Sequence, residues 1–160
     1  MHASTGSSGD TAGQPTGFPP SIADLEHEVT QHPDDAAALV RLANAYWLDG
    51  RGPELVGELA TRARTLDPSN RGAWHLWALA ESNPRSRVAR WQRVTTEFPT
   101  DDLARAALAD NAASLAGAEH DYEALKLAIA TYEQLFSTAQ TVEQKNALQQ
   151  AINTLKAWRF

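Results

Sequence analysis

His32-Pro33-Asp34-Asp35, Asp67-Pro68-Ser69-Asn70 and Phe98-Pro99-Thr100-Asp101-Asp102 are three versions of one boundary. In each, a proline closes an amphipathic run and a short polar tag opens the next. The prolines at 33, 68 and 99 stand 35 and then 31 residues apart. A period in this range marks stacked supersecondary units rather than one irregular fold. Each unit has room for two helices, and a helix pair of that size cannot bury its apolar face without a neighbour.

Working outward from these boundaries, Ser21 caps a first helix carrying Ile22, Leu25 and Val29. Asp34 or Asp35 caps the next, which runs through Leu39, Leu42, Ala43 and Tyr46 at i, i+3, i+4, i+7 to a turn at Gly50. Pro53 suits the first position of a return helix with Leu55, Val56, Leu59, Ala60, Ala63 and Leu66. A second pair repeats the spacing with Trp74, Trp77, Ala78 and Glu81, turns at Asn83-Pro84, and returns with Val88, Trp91, Val94 and Phe98. In the third pair Leu108, Ala109, Ala112 and Leu115 lead to a break expected at Gly117. Tyr122, Leu125, Ala128, Ile129, Tyr132 and Leu135 line the way back. Its register is open between a stripe starting at Arg105 and one starting at Leu103.

Thr141 caps a last helix with Leu148, Ala151, Ile152, Leu155 and Trp158 inward. Gln144, Lys145, Gln149 and Lys156 face outward, as on a helix that closes a stack. No stretch alternates with period two. The expected fold is all-α, a right-handed stack of antiparallel hairpins over residues 21–160 with a C-terminal capping helix. Residues 1–20 read as a flexible tail of Gly, Ser, Thr and Pro, too poor in apolar area to offset the entropy of ordering.

Composition narrows the function. The net charge of −6 divides into −7 over residues 1–61, +5 over 62–93 and −4 over 94–160. An acidic chain with one basic waist lacks the broad positive surface of a nucleic-acid binder and suits an acidic protein or peptide partner. Cysteine is absent, which excludes disulfides, thiolate catalysis and cysteine zinc sites. The five histidines (2, 27, 32, 75 and 120) include no pair at the i, i+4 spacing of a helical metal site. Asp34-Asp35 and Asp101-Asp102 fall where helices need caps, and neither a phosphate loop nor a nucleophile elbow occurs. Neither catalysis nor a metal or cofactor is expected. No apolar stretch is long enough to cross a bilayer. Met1-His2-Ala3-Ser4 opens no apolar leader segment, which leaves a cytoplasmic chain or a periplasmic one separated from its leader or anchor. The linker-like tail leans towards the cell envelope.

The segment Leu42-Ala43-Asn44-Ala45-Tyr46, Gly50, Ala63 and Leu66-Asp67-Pro68-Ser69-Asn70 resembles the helix–turn–helix unit of tetratricopeptide repeat proteins. The second pair follows the pattern at Trp74, Trp77 and Ala78 and departs from it at Glu81, with a turn about three residues short by the family's 34-residue repeat. Asp121-Tyr122-Glu123-Ala124 is similar to the family's second-helix opening. A narrower likeness connects the His-Pro-Asp-Asp boundary, the compact pairs and Ala128-Ile129-Ala130-Thr131-Tyr132-Glu133 with the periplasmic repeat domains of cytochrome c maturation, which hold apocytochrome tails. The resemblance implies a non-catalytic interaction module, a scaffold, adaptor or chaperone-like holdase. The other class is a structural accessory subunit of a larger assembly.

In such stacks the first helices of the pairs form a concave wall. Val40, Asn44 and Trp47 make a second stripe about 100° from the buried one, and His75 and Leu79 hold the matching places in the second pair. These five are the candidate groove. The family's carboxylate clamp finds only Asn44, since Val40 stands where a Lys is wanted. Arg87, Arg90 and Arg93 form a candidate basic docking patch able to make bidentate carboxylate contacts.

The tail reading is testable. Deleting Met1 to Gly17 should leave the melting temperature of the remaining chain nearly unchanged. A large drop would show that the tail packs on the helical part.

Overall fold

A computed structural model describes residues 18–160; residues 1–17 of the tail expected over residues 1–20 lie outside them. Eight helices follow in order: α1 (Ile22–Gln31), α2 (Ala36–Leu48), α3 (Pro53–Leu66), α4 (Arg71–Leu79), α5 (Pro84–Glu97), α6 (Asp102–Glu119), α7 (Tyr122–Thr138) and α8 (Val142–Lys156). They make three antiparallel hairpins, α2/α3, α4/α5 and α6/α7, flanked by α1 and α8.

The boundary tags act as caps. Ser21 and Asp24 form a reciprocal capping box on α1. The Asp35 carboxylate accepts the Ala37 and Ala38 N–H groups at 3.0 and 3.3 Å, and Asn70 accepts that of Ala73 at 3.1 Å. Asn83, Asp101, Asp121 and Thr141 cap α5, α6, α7 and α8 in the same way. Only α3 starts without a side-chain cap, and there Pro53 at the first position removes one orphan donor.

Each helix packs against its chain neighbours, and α2 reaches past its partner to α4. The buried stripes are those read from the sequence, with Leu39, Leu42, Val56, Ala63, Trp74, Trp77, Val88, Trp91, Val94 and Leu108 in one continuous core. Trp74 and Trp77 meet edge to face with ring centres 5.7 Å apart, and Trp74 Nε1 donates to the Pro68 carbonyl at 2.8 Å. That bond ties the inter-hairpin turn to the helix that follows it.

Three expectations need correction, and one open register is settled. Gly117 does not break α6, which continues to Glu119 and ends at His120 in the left-handed region (φ 51°). A glycine costs about 1 kcal/mol inside a helix, but here it admits the Trp158 ring, whose Cη2 would lie 3.3 Å from an added Cβ. The third pair takes the Arg105 register: Leu103 is 73% exposed while Leu108, Ala112 and Leu115 are buried. Leu55, Leu66 and Tyr122 point largely to solvent; each lies in the first or last turn of its helix, where a neighbour no longer covers the stripe. Trp158 follows α8 rather than belonging to it.

Leu42 is nearly fully buried. Leu42→Ala should lower stability by about 2–5 kcal/mol in chemical denaturation. A loss well below about 1 kcal/mol would mean that the site relaxes to fill the void.

Candidate functional site

Of the first helices of the hairpins, α2 packs directly against α4, and α4 meets the start of α6 through the His75–Asp101 contact. Gly72 sits so close to α2 that an added Cβ would lie 3.2 Å from Val40 Cγ1. Val40 therefore fills the notch of a glycine and belongs to the seam between the hairpins. Asn44 is exposed, and its amide makes no hydrogen bond among the described residues. Trp47 is 39% exposed near the C-terminal end of α2, and beside it Leu48 is 87% exposed. The sequence reading missed Leu48 because it lies off both stripes. Leu79 is half-buried against the core.

His75 is committed to the fold. Its Nε2 lies 2.6 Å from Asp101 Oδ2, and its ring meets Trp91 edge-on at 5.3 Å. Asp101 is 4% exposed and its other oxygen caps α6 through Ala104, so one carboxylate joins α4 to the start of α6. Burial pushes that carboxyl up. The His75 hydrogen bond, the Ala104 N–H and the nearby His75 and Arg71 charges outweigh burial and hold it below its ordinary value. On α6, Ala106 and Ala113 are half-buried, while Asp110 accepts the Tyr132 hydroxyl. Burial raises the Tyr132 phenol above its ordinary range, and the Asp110 bond and charge raise it further.

The arginines divide. Arg87 donates to Asn111 Oδ1 at 2.9 Å and to the Glu81 carbonyl at 3.0 Å, tying α5 to α6. Arg90 bridges to Glu81 at 2.8 Å and donates to the Trp77 carbonyl at 2.8 Å. Glu81, the departure from the repeat pattern, is thus the partner of Arg90. Arg93 is exposed and free of ion pairs among the described residues. Arg90 and Arg93 both face Trp77, and Arg64 of α3 joins them there. No local spacing could have brought Arg64 into that group, because the contact crosses between hairpins.

Three clefts are open and shallow. One of about 510 Å³ lies between α3 and the α4–α5 turn. Another of about 620 Å³ separates α5 and α7, and a third of about 390 Å³ lies among α6, α7 and α8. None of these three is lined by the five groove residues. Among the described residues there is no cluster of three or more His, Asp or Glu able to hold a metal, and no helix long and apolar enough to cross a membrane.

No family model matches the chain, and no curated protein matches it in sequence. Among solved structures it is similar to MamA, a helical protein of tetratricopeptide type, at 14% identity over 84% of each chain with a TM-score of 0.56. The fold is a tetratricopeptide-like α-solenoid.

The Asp101 carboxyl sits below its usual 3.8 in the folded chain. Its contribution is therefore full above that value and is lost as pH falls through the lower folded one. Asp101→Asn, which can still cap α6, should cost about 1–3 kcal/mol at neutral pH. Its stability should also fall less steeply than that of the parent below about pH 4 in denaturant titrations. Parallel acid limbs would show that the charge contributes nothing.

Proposed function

We propose that the chain is a non-catalytic protein-interaction module whose α2–α4–α6 wall binds a peptide or helix of a protein partner. The observation that carries this reading is Trp47, a large aromatic left 39% exposed by the fold. The free amide of Asn44 lies one turn away, and Leu48 extends the apolar surface. Aromatic side chains of this kind anchor protein interfaces, because they bury much area and lose little rotamer freedom. Val40 and His75 shape this wall from the hairpin seam, and Leu79 adds half-buried apolar surface.

The Arg-rich α5 is a capped, packed helix. That favours a preformed binding surface over an accessory subunit whose parts order only on assembly. It also leaves the acidic-partner role to those arginines that retain free donors.

A photo-crosslinking side chain placed at position 47 should capture a partner that the same group at Lys145, on the polar face of α8, does not. Trp47→Ala should then weaken binding of that partner by about 2 kcal/mol or more, with helical circular dichroism unchanged. Affinity that survives Trp47→Ala intact would place the interface elsewhere.

A further inference from the structure

Arg64 has no role in the groove. Its guanidinium carbon lies 3.9 Å from the centre of the Trp77 ring and 4.7 Å from that of Trp74. Arg93 lies 5.6 and 5.8 Å from the Trp74 and Trp77 rings, and Arg90 lies 4.7 Å from Trp77. Two indoles of α4 thus carry three guanidiniums from α3 and α5.

Stacking uses the face of a guanidinium and leaves its in-plane N–H edge for a planar acceptor with two oxygens. Arg90 has such an acceptor in Glu81. Arg64 and Arg93 form no ion pair among the described residues, and Arg64 Nη1 is buried with no hydrogen-bond partner. Burial pulls the Arg64 guanidinium below its ordinary value, the Arg93 and Arg90 charges push the same way, and Glu97 opposes them. The cluster has three like charges and one bound carboxylate.

We propose that Arg64 and Arg93, on the Trp74–Trp77 platform, form a docking site for a carboxylate side chain of an acidic peptide segment carried by a protein partner. Charge complementarity selects this occupant. The site lies in the +5 stretch of an otherwise acidic chain. A glutamate supplies a planar two-oxygen acceptor that matches the free guanidinium edge of Arg93. The proposal rests on reading the chain as a protein-binding module, but its arginines come from α3 and α5 and none of the five groove residues takes part.

Tryptophan emission reads the site directly through Trp74 and Trp77. Titrating the full chain with acetylated hexaglutamate at low ionic strength should give a saturable change that hexalysine does not produce. Arg93→Gln should weaken it about tenfold, and so should Arg64→Lys, which keeps the charge and loses the fork. Arg93 is exposed, so its variant carries the test if Arg64→Lys does not fold. Trp47→Ala should bind hexaglutamate as the parent does, so failure of the groove leaves this result standing. Unchanged affinity in Arg93→Gln overturns the proposal. Inorganic phosphate competing as strongly as the peptide would reduce the site to general anion attraction and overturn the peptide assignment. Self-association in sedimentation that Arg93→Gln abolishes would replace the partner by the acidic part of a second copy.

Discussion

Helix α4 has only nine residues, and five of them (Ala73, Trp74, Leu76, Trp77 and Ala78) are buried. Nothing within its own hairpin can cover so much apolar surface on so short a rod. Cover comes from α3 before it, α5 after it and α2 across the seam. This need of each hairpin for its neighbours organises the rest of the chain. It dictates the close approach at Gly72 and Val40, and the choice of bulky indoles where a short helix must fill space between two longer pairs. It also explains why the arginines of α3 and α5 meet over α4. Once the short helix is sandwiched, the long side chains on either side lie against its rings.

The helices were legible in the sequence because their boundaries are written locally. Asp35, Asn70, Asp101 and Asp121 each announce a helix through a bond two or three residues away, and stripes of 3.6-residue period give the buried face. Where the reading failed, the deciding contact was distant. Gly117 is locally a breaker, but it is a helical position whose missing Cβ leaves room for Trp158, 41 residues on. Leu66 and Tyr122 fit their stripes in period but lie at helix ends, where cover depends on how far the neighbour extends.

The candidate site was legible in part, for the same reason. Trp47 and Asn44 follow from the rotation of one stripe against another, which a sequence displays. The commitment of His75 to Asp101 does not follow, since it joins residues on opposite sides of a whole hairpin element. Nor could the division of the arginines be read from their spacing. Arg87 finds Asn111, Arg90 finds Glu81, and Arg93 finds neither; only the packing of α5 against α4 and α6 separates them.

The order of contacts along the chain has a consequence for how the molecule is made. Helices that touch chiefly their sequence neighbours close only short loops, and local contacts of this kind are associated with fast folding. A hairpin can pack as soon as the next one is available, so the stack can grow in the direction of synthesis as the chain leaves the ribosome. The His75–Asp101 link spans the whole of α5, so it can form only once the beginning of α6 is in place beside α4. Until the beginning of α6 has emerged, α4 carries an imidazole without its carboxylate, and the second hairpin waits for the third to complete it.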